Sequence, residues 1–359
     1  MAISSETIDR LTSGKSIYKH RYQKPDGRNL YLYGYQPHQP ILIEGEQLSK
    51  ATGSELRRHP LRGDWSVYAE KRQNRTFKPS MAENPLAPSK EGHPLTEIPF
   101  SDFELAVFEN RFPSFYKEAD PPLATTLEKH SATGTCEVIV YSPEPTGSLA
   151  TLGQTKRRLL LEAWIDRYIS LYDQGNAYIL PFENRGEEVG VTLHHPHGQI
   201  YGFPVVPTPQ ATAATAFENG YDLAKEVKSW PELQIEAAGG IRAYAPAFAR
   251  FPYEVWISAD DAVSGPWAFN NEQADGFCHL LGSITAKYDA FFGQTTPYML
   301  SLHASPYGQD NRFQFTAQFY PILRAPGRLK YLAAVEQATG IFTVDVMPEQ
   351  TAKKLRDIL

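Results

Sequence analysis

Three histidines fall within four residues in His194-His195-Pro196-His197-Gly198-Gln199-Ile200. An imidazole of near-neutral pKa can act as both nucleophile and proton carrier at physiological pH. Pro196 rules out a helix through the run and removes one backbone donor. Gly198 offers bare backbone that a phosphate or sugar could approach closely. Gln199 can donate an amide N–H to an anionic oxygen. Together these residues read as an imidazole nucleophile with a donor beside it for a phosphoryl group. Two other uses remain open. A metal site needs three or four ligands, and His195 with His197 supplies two at most on one face. A structural histidine cluster would leave the cost of a Pro and a Gly inside a strand unexplained.

The elements around the run must place it. Val189-Gly190-Val191-Thr192-Leu193 precedes it and Ile200-Tyr201-Gly202-Phe203 follows, both β-prone. An extended strand over 193–201 would put His195 and His197 on one face and His194 on the other. A faint internal repeat extends this reading. The run 136–142 resembles 253–258, and each leads to a helical pattern, at 155–172 and 272–292. Ala177-Tyr178-Ile179-Leu180 then matches Pro297-Tyr298-Met299-Leu300, and the motif strand matches 314–320. The offset stays near 120 residues and pairs His195 with Thr316 and His197 with Gln318. This describes a duplicated strand–helix–strand–strand unit with one catalytic copy; chance similarity between β-rich segments is the alternative.

The remaining sequence sets bounds. Its 359 residues suffice for one large or two ordinary domains. A hydrophobic fraction of 42% with 21% charged residues describes a globular protein. The net charge of -6 and the lack of a basic tract argue against general nucleic-acid binding. Two cysteines, Cys136 and Cys278, make neither a disulfide framework nor a cysteine metal cluster. The twenty Tyr and nineteen Phe read mainly as sheet packing. The first residues lack a secretory pattern and no run has the length of a membrane span, so a cytoplasmic protein without membrane partners is expected. The Pro-rich, polar stretch 78–99 is expected to be loop.

The motif and its surroundings resemble the galactose-1-phosphate uridylyltransferase family of the histidine-triad superfamily. The carriers are His195 to Gln199, Phe182-Glu183-Asn184-Arg185-Gly186 before it, 58–65, Phe319-Tyr320-Pro321 and the C-terminal stretch 348–356. The resemblance runs from about Arg57 to the C-terminus. It implies an α+β fold in which duplicated histidine-triad-like strand–helix–strand–strand units share a continuous, mainly antiparallel sheet with helices packed on it. Residues 1–50 would be an N-terminal β-rich extension and 51–207 the catalytic half. Residues 208–240 would be a linker and helix, and 241–359 a second, degenerate half with a C-terminal helix. The implied reaction exchanges UMP between UDP-glucose and galactose 1-phosphate. His197 is the nucleophile, Gln199 a phosphate donor, and the His195 carbonyl the acceptor that fixes the tautomer of His197. Arg72, Arg75, Asn184 and Thr192 match positions near the phosphates. Phe108 and Asn110 match positions beside the uracil, and Lys330 and Glu336 match contacts to the hexose or its phosphate. The family is usually dimeric, so a homodimer is implied.

Three features depart from the family. Its structural zinc uses two cysteines and two histidines; here Asn84 and Ala87 replace the cysteines, Pro145 replaces one histidine, and His195 alone remains. A second site of three histidines and a glutamate keeps His303, with Thr316 and Gln318 at two of its positions and no carboxylate near Ala213. Both metals are therefore expected to be absent and no cofactor is expected. Where the family has an acidic residue beside the uracil-site Asn, this sequence has Arg111. That exchange keeps open a nucleoside-diphosphate-sugar or dinucleotide-polyphosphate phosphorylase of the same superfamily. A nucleotide-binding protein without turnover is the reading from another class, and the intact His197 and Gln199 speak against it.

Overall fold

A computed structural model describes residues 4–8, 15–37, 41–44, 54–69, 84–119, 127–309 and 313–358. The strands and helices, in chain order, are β1 (Ser4–Ile8), β2 (Ile17–Gln23), β3 (Asn29–Gly34), β4 (Glu55–Arg58), β5 (Trp65–Tyr68), β6 (Leu105–Glu109), β7 (Lys129–Ser131), β8 (Thr135–Val140) and α1 (Gln154–Asp173). There follow β9 (Tyr178–Arg185), β10 (His197–Phe203), α2 (Thr208–Glu218), α3 (Leu223–Lys228), β11 (Gln234–Ala238), β12 (Ile241–Tyr244), β13 (Val255–Ala259) and α4 (Asn271–Phe292). The chain ends with β14 (Tyr298–His303), β15 (Thr316–Pro321), β16 (Leu323–Ala325), β17 (Arg328–Leu329), α5 (Ala334–Thr339) and α6 (Pro348–Arg356). The stretch 208–240, expected as linker and helix, thus also supplies a strand. No helix among the described residues is long and apolar enough to cross a membrane.

Twelve strands form one sheet in the order β1-β2-β3-β6-β8-β10-β9-β14-β15-β13-β12-β11. Every pairing in it is antiparallel. The order reads outward from the β9–β14 pair as β9-β10-β8 on one side and β14-β15-β13 on the other, which is the arrangement the internal repeat requires. Both repeat helices lie on one face, where α1 and α4 pack with Ile139, Ile200, Ile257, Leu300 and Phe319 into the main core. α1 is enclosed on nearly all sides, so its polar residues need partners: Arg158 bonds Glu162 within the helix and Asp275 on α4. α4 starts with a reciprocal cap in which Asn270 Oδ1 accepts from Gln273 N and Gln273 Oε1 accepts from Asn270 N.

The repeat is real in topology, but its detailed alignment needs correction. Cross-strand neighbours share a sheet face and alternate residues change face. Tyr178 lies opposite Phe203 on the face away from the helices, where its hydroxyl reaches His303 Nδ1 at 3.1 Å. Its sequence match, Tyr298, lies opposite Arg185 on the helix face and bonds buried Glu183. A shift of one residue, Tyr178 with Met299, restores matching faces, and the same one-residue shift holds for β8 against β13. Sequence similarity favoured aligning Tyr with Tyr, whereas the sheet demands equal parity. His197 with Gln318 has the correct parity: the register runs from Gln199 to Phe182, Ser301 and Gln318 along one face.

Candidate functional site

Pro196 ends the irregular stretch and β10 begins at His197, not at Leu193 as expected. Pro196 has no N–H to donate and contributes only its carbonyl, which accepts from Tyr141 N at 3.3 Å, and the His195 carbonyl is already committed to the next histidine. His195 and His197 therefore do not share a strand face. His195 is turned inward and is 2% exposed; His194 is exposed, with Nε2 3.7 Å from Glu187. His197 sits on the open face of the sheet, and Gln199 follows on the same face. Carrying the β9–β10 register two residues past its last pair places Asn184 opposite His197 on that face.

A chain of hydrogen bonds sets the protonation of both imidazoles. The Leu86 N–H donates to Asn84 Oδ1 at 3.0 Å, which turns the Asn84 amide nitrogen toward His195 Nδ1, 2.9 Å away. That nitrogen must accept, so the proton of neutral His195 sits on Nε2 and is donated to the Ser142 carbonyl at 2.7 Å. Burial lowers the pKa of His195, although its bond to Ser142 opposes the shift. The His195 carbonyl in turn accepts from His197 Nδ1 at 2.7 Å. With the Nδ1 proton held there, the lone pair of His197 is on Nε2.

Gly198 is required for a different reason than expected. A Cβ at this position would lie 2.7 Å from the Tyr141 hydroxyl and 2.9 Å from the Phe182 carbonyl, on the helix side of the sheet. It makes room for protein behind the strand, not for a ligand in front of it. The Tyr141 hydroxyl donates to Glu183 at 2.8 Å and Tyr298 donates to the other oxygen at 2.9 Å. Burial raises the pKa of Glu183 against these two donors.

The other expected site residues fall in several places. Thr192 is half-buried in the loop leading to His197. Phe108 faces the same side of the sheet as His197, but it is packed among Leu30, Leu32, Val138 and Phe100 with Lys24 over its ring, leaving little of it for a ligand. Asn110 caps a turn, its Oδ1 accepting from Phe112 N at 2.9 Å, while Arg111 lies over the Phe112 ring. Lys330 and Glu336 are brought to each other by an ion pair. Glu336 also accepts from the backbone of Ala333 and Thr343, and these donors with Lys330 lower its pKa to about 2. Arg72 and Arg75 lie outside the described residues.

Sequence reasoning missed Asn84 as a partner of His195, and it missed Ser142, Tyr141 and Tyr298. One local signal was present: Asn-Pro followed by Leu is the pattern of an Asx turn, the Leu86-to-Asn84 bond seen here. The other partners are far apart in the chain.

Residues 43–207 match the family described as Galactose-1-phosphate uridyl transferase, N-terminal domain. A galactose-1-phosphate uridylyltransferase of Thermotoga maritima is 35% identical over 84% of this chain and 98% of its own length. The Streptomyces lividans protein of the same name is 29% identical over 93% of this chain and 96% of its own. Among solved structures, one titled "Structure of uridylyltransferase" superimposes with a TM-score of 0.75 at 24% identity, covering 84% of this chain and 97% of that one.

Proposed function

Because the chain belongs to the galactose-1-phosphate uridylyltransferase family, we propose that it exchanges UMP between UDP-glucose and galactose 1-phosphate through a uridylyl-histidine. The bond from His197 Nδ1 to the His195 carbonyl carries this reading, because it directs the nucleophilic lone pair to Nε2. In the first half-reaction Nε2 attacks the α-phosphorus, a P–N bond forms, and the bond to the bridging oxygen breaks to release glucose 1-phosphate. The imidazole becomes cationic, and its Nδ1–H stays on the carbonyl. A phosphate oxygen of galactose 1-phosphate then attacks phosphorus, the P–N bond breaks, and neutral His197 returns. The acceptor is already anionic, so the sites of demand are the charges around phosphorus. Gln199, Asn184, Thr192, Arg72 and Arg75 are the groups we assign there, with Asn110 toward the base, Phe108 contributing at most the packed edge of its ring, and Lys330 and Glu336 toward the hexose phosphate. Residues 51–207 are the catalytic half in this reading, and 241–359 the degenerate one. A homodimer and a cytoplasmic location belong to the same reading.

A covalent intermediate requires ping-pong kinetics, so reciprocal plots against the two substrates are expected to be parallel. Mass spectrometry after incubation with UDP-glucose alone is expected to find a uridylyl group on the peptide containing residues 194–200. Intersecting lines together with an unmodified peptide would refute the mechanism. Inorganic phosphate replacing the hexose phosphate as the efficient acceptor would move the reading to a phosphorylase.

We further infer that neither family metal is used. Both ring nitrogens of His195 are engaged, one by the amide of Asn84 and one by the Ser142 carbonyl. Ala87 and Pro145 offer no donor, and one imidazole cannot hold zinc. At the second position His303 Nδ1 faces the Tyr178 hydroxyl and the Gln210 amide, and Gln318 donates to Thr316 at 2.8 Å. Burial, with Arg250 nearby, lowers the pKa of His303 to about 4, which leaves it neutral without a metal. Prolonged dialysis against a strong chelator is expected to leave both exchange rate and melting temperature unchanged. Stoichiometric zinc or iron in tag-free protein, lost together with activity, would overturn this.

A further inference from the structure

We propose that Asn84 is a positioning residue for the nucleophile, acting through His195 by a relay that runs from the Leu86 N–H to the imidazole of His197. The proposal rests on His197 being the nucleophile and goes beyond that assignment. Asn84 and His195 are 111 positions apart in the chain, yet their side chains meet at 2.9 Å. The orientation of the carboxamide is set by the Leu86 N–H on its oxygen. A correctly turned amide presents a donor to His195 Nδ1, so His195 must carry its proton on Nε2, and Ser142 receives it. The ring of His195 is thereby pinned at both ends in a buried position, and the peptide carbonyl of the same residue is pinned with it. That carbonyl holds the proton of His197.

The alternative tautomer of His195 would set two donors against each other at Asn84 and leave the Ser142 carbonyl facing a lone pair. Either defect is costly in a buried site and would be relieved by movement of the 194–196 loop. Because the His195 carbonyl belongs to that loop, its movement would release His197 from the Nδ1–H tautomer. A His197 protonated on Nε2 cannot attack phosphorus. One carboxamide thus does two tasks: it satisfies a buried imidazole without a metal, and it holds the nucleophile in its reactive form.

The test combines rates with tautomers in the full-length protein. In histidine 15N-labelled wild type, long-range 15N–1H spectra are expected to show His195 protonated on Nε2 and His197 on Nδ1. Asn84→Leu removes the donor at similar volume. Asn84→Ala removes the donor by truncation. Both variants are expected to lower kcat about 10- to 100-fold, the range for groups that orient a reactive imidazole, while KM for UDP-glucose is unchanged. In both, His197 is expected to shift toward the Nε2–H form. A purely structural role would lower the melting temperature yet leave kcat per folded molecule and the His197 tautomer as in wild type, and that result would overturn the proposal. A wild-type His195 protonated on Nδ1 would overturn it without any variant. If wild type forms no uridylyl adduct, the functional reading fails, and the tautomer spectra still decide whether the relay exists.

Discussion

His197→Ala is expected to abolish uridylyl exchange, while His197→Gly is expected to transfer uridylyl groups when supplied with uridine 5′-phosphoimidazolide. The two substitutions remove the same nucleophile, but only Gly leaves space beside the β10 backbone for a free ring to sit where the side chain was. The phosphoimidazolide brings that ring with the P–N bond already made, so only the second half-reaction remains to be catalysed. The His195 carbonyl stays in place to receive the N–H of the added ring, because its position is set by His195 and its partners and not by His197. Hexose 1-phosphate consumption, followed with and without the imidazolide, checks both halves. Full exchange activity in His197→Ala would move the nucleophile elsewhere. Failure of His197→Gly with the imidazolide, in folded protein, would show that the remaining groups do not stabilise charge around phosphorus.

Arg167→Met is expected to destabilise the fold by about 3–5 kcal/mol, the cost of leaving a buried charge without its partner. Arg167 on α1 meets Glu137 on β8 through two bonds, Nε to Oε2 at 2.9 Å and Nη2 to Oε1 at 2.8 Å, and both side chains are about 2% exposed. The guanidinium also lies over the ring of Tyr31 on β3. The pair thus joins α1 to β8 and, through Tyr31, to β3, and Glu137 pairs directly with Ile200 of the motif strand. Since whole domains are stable by only about 5–15 kcal/mol, this single loss should be plain in urea unfolding. Combining it with Glu137→Leu is expected to recover most of the loss, because Glu137 is then no longer left as an unpaired buried carboxylate. A single-variant loss below about 1 kcal/mol would mean that water reaches Glu137, contrary to its burial.

Several features of this protein could be read from the sequence because they depend on local chemistry. The helices predicted at 155–172 and 272–292 appear as α1 and α4 with boundaries moved by one residue or less. Their apolar spacing and, for α4, the Asn270 cap are properties of short windows. The duplicated order of elements was visible because duplication leaves matching strings in both halves. The motif's residue types limited the chemistry, since a nucleophilic imidazole with a neighbouring amide donor has few uses other than at phosphorus.

Other features depended on contacts across many residues. The start of β10 at His197 follows from Pro196 together with the pull of the His195 carbonyl, and no window around the motif contains Asn84 or Ser142. Gly198 reads as facing a ligand, but Tyr141, just past the end of β8, fills the space behind it. The repeat alignment slipped by one residue because similarity scores residue types, whereas a sheet is governed by the parity of its register. Asn84 itself read as a lost zinc ligand. The sequence, through its resemblance to the family, named His197 as the residue that attacks phosphorus in the proposed mechanism. Only the tertiary structure decided which of its nitrogens would do so, because a proton's position on a ring is set by the donors and acceptors that folding brings to it.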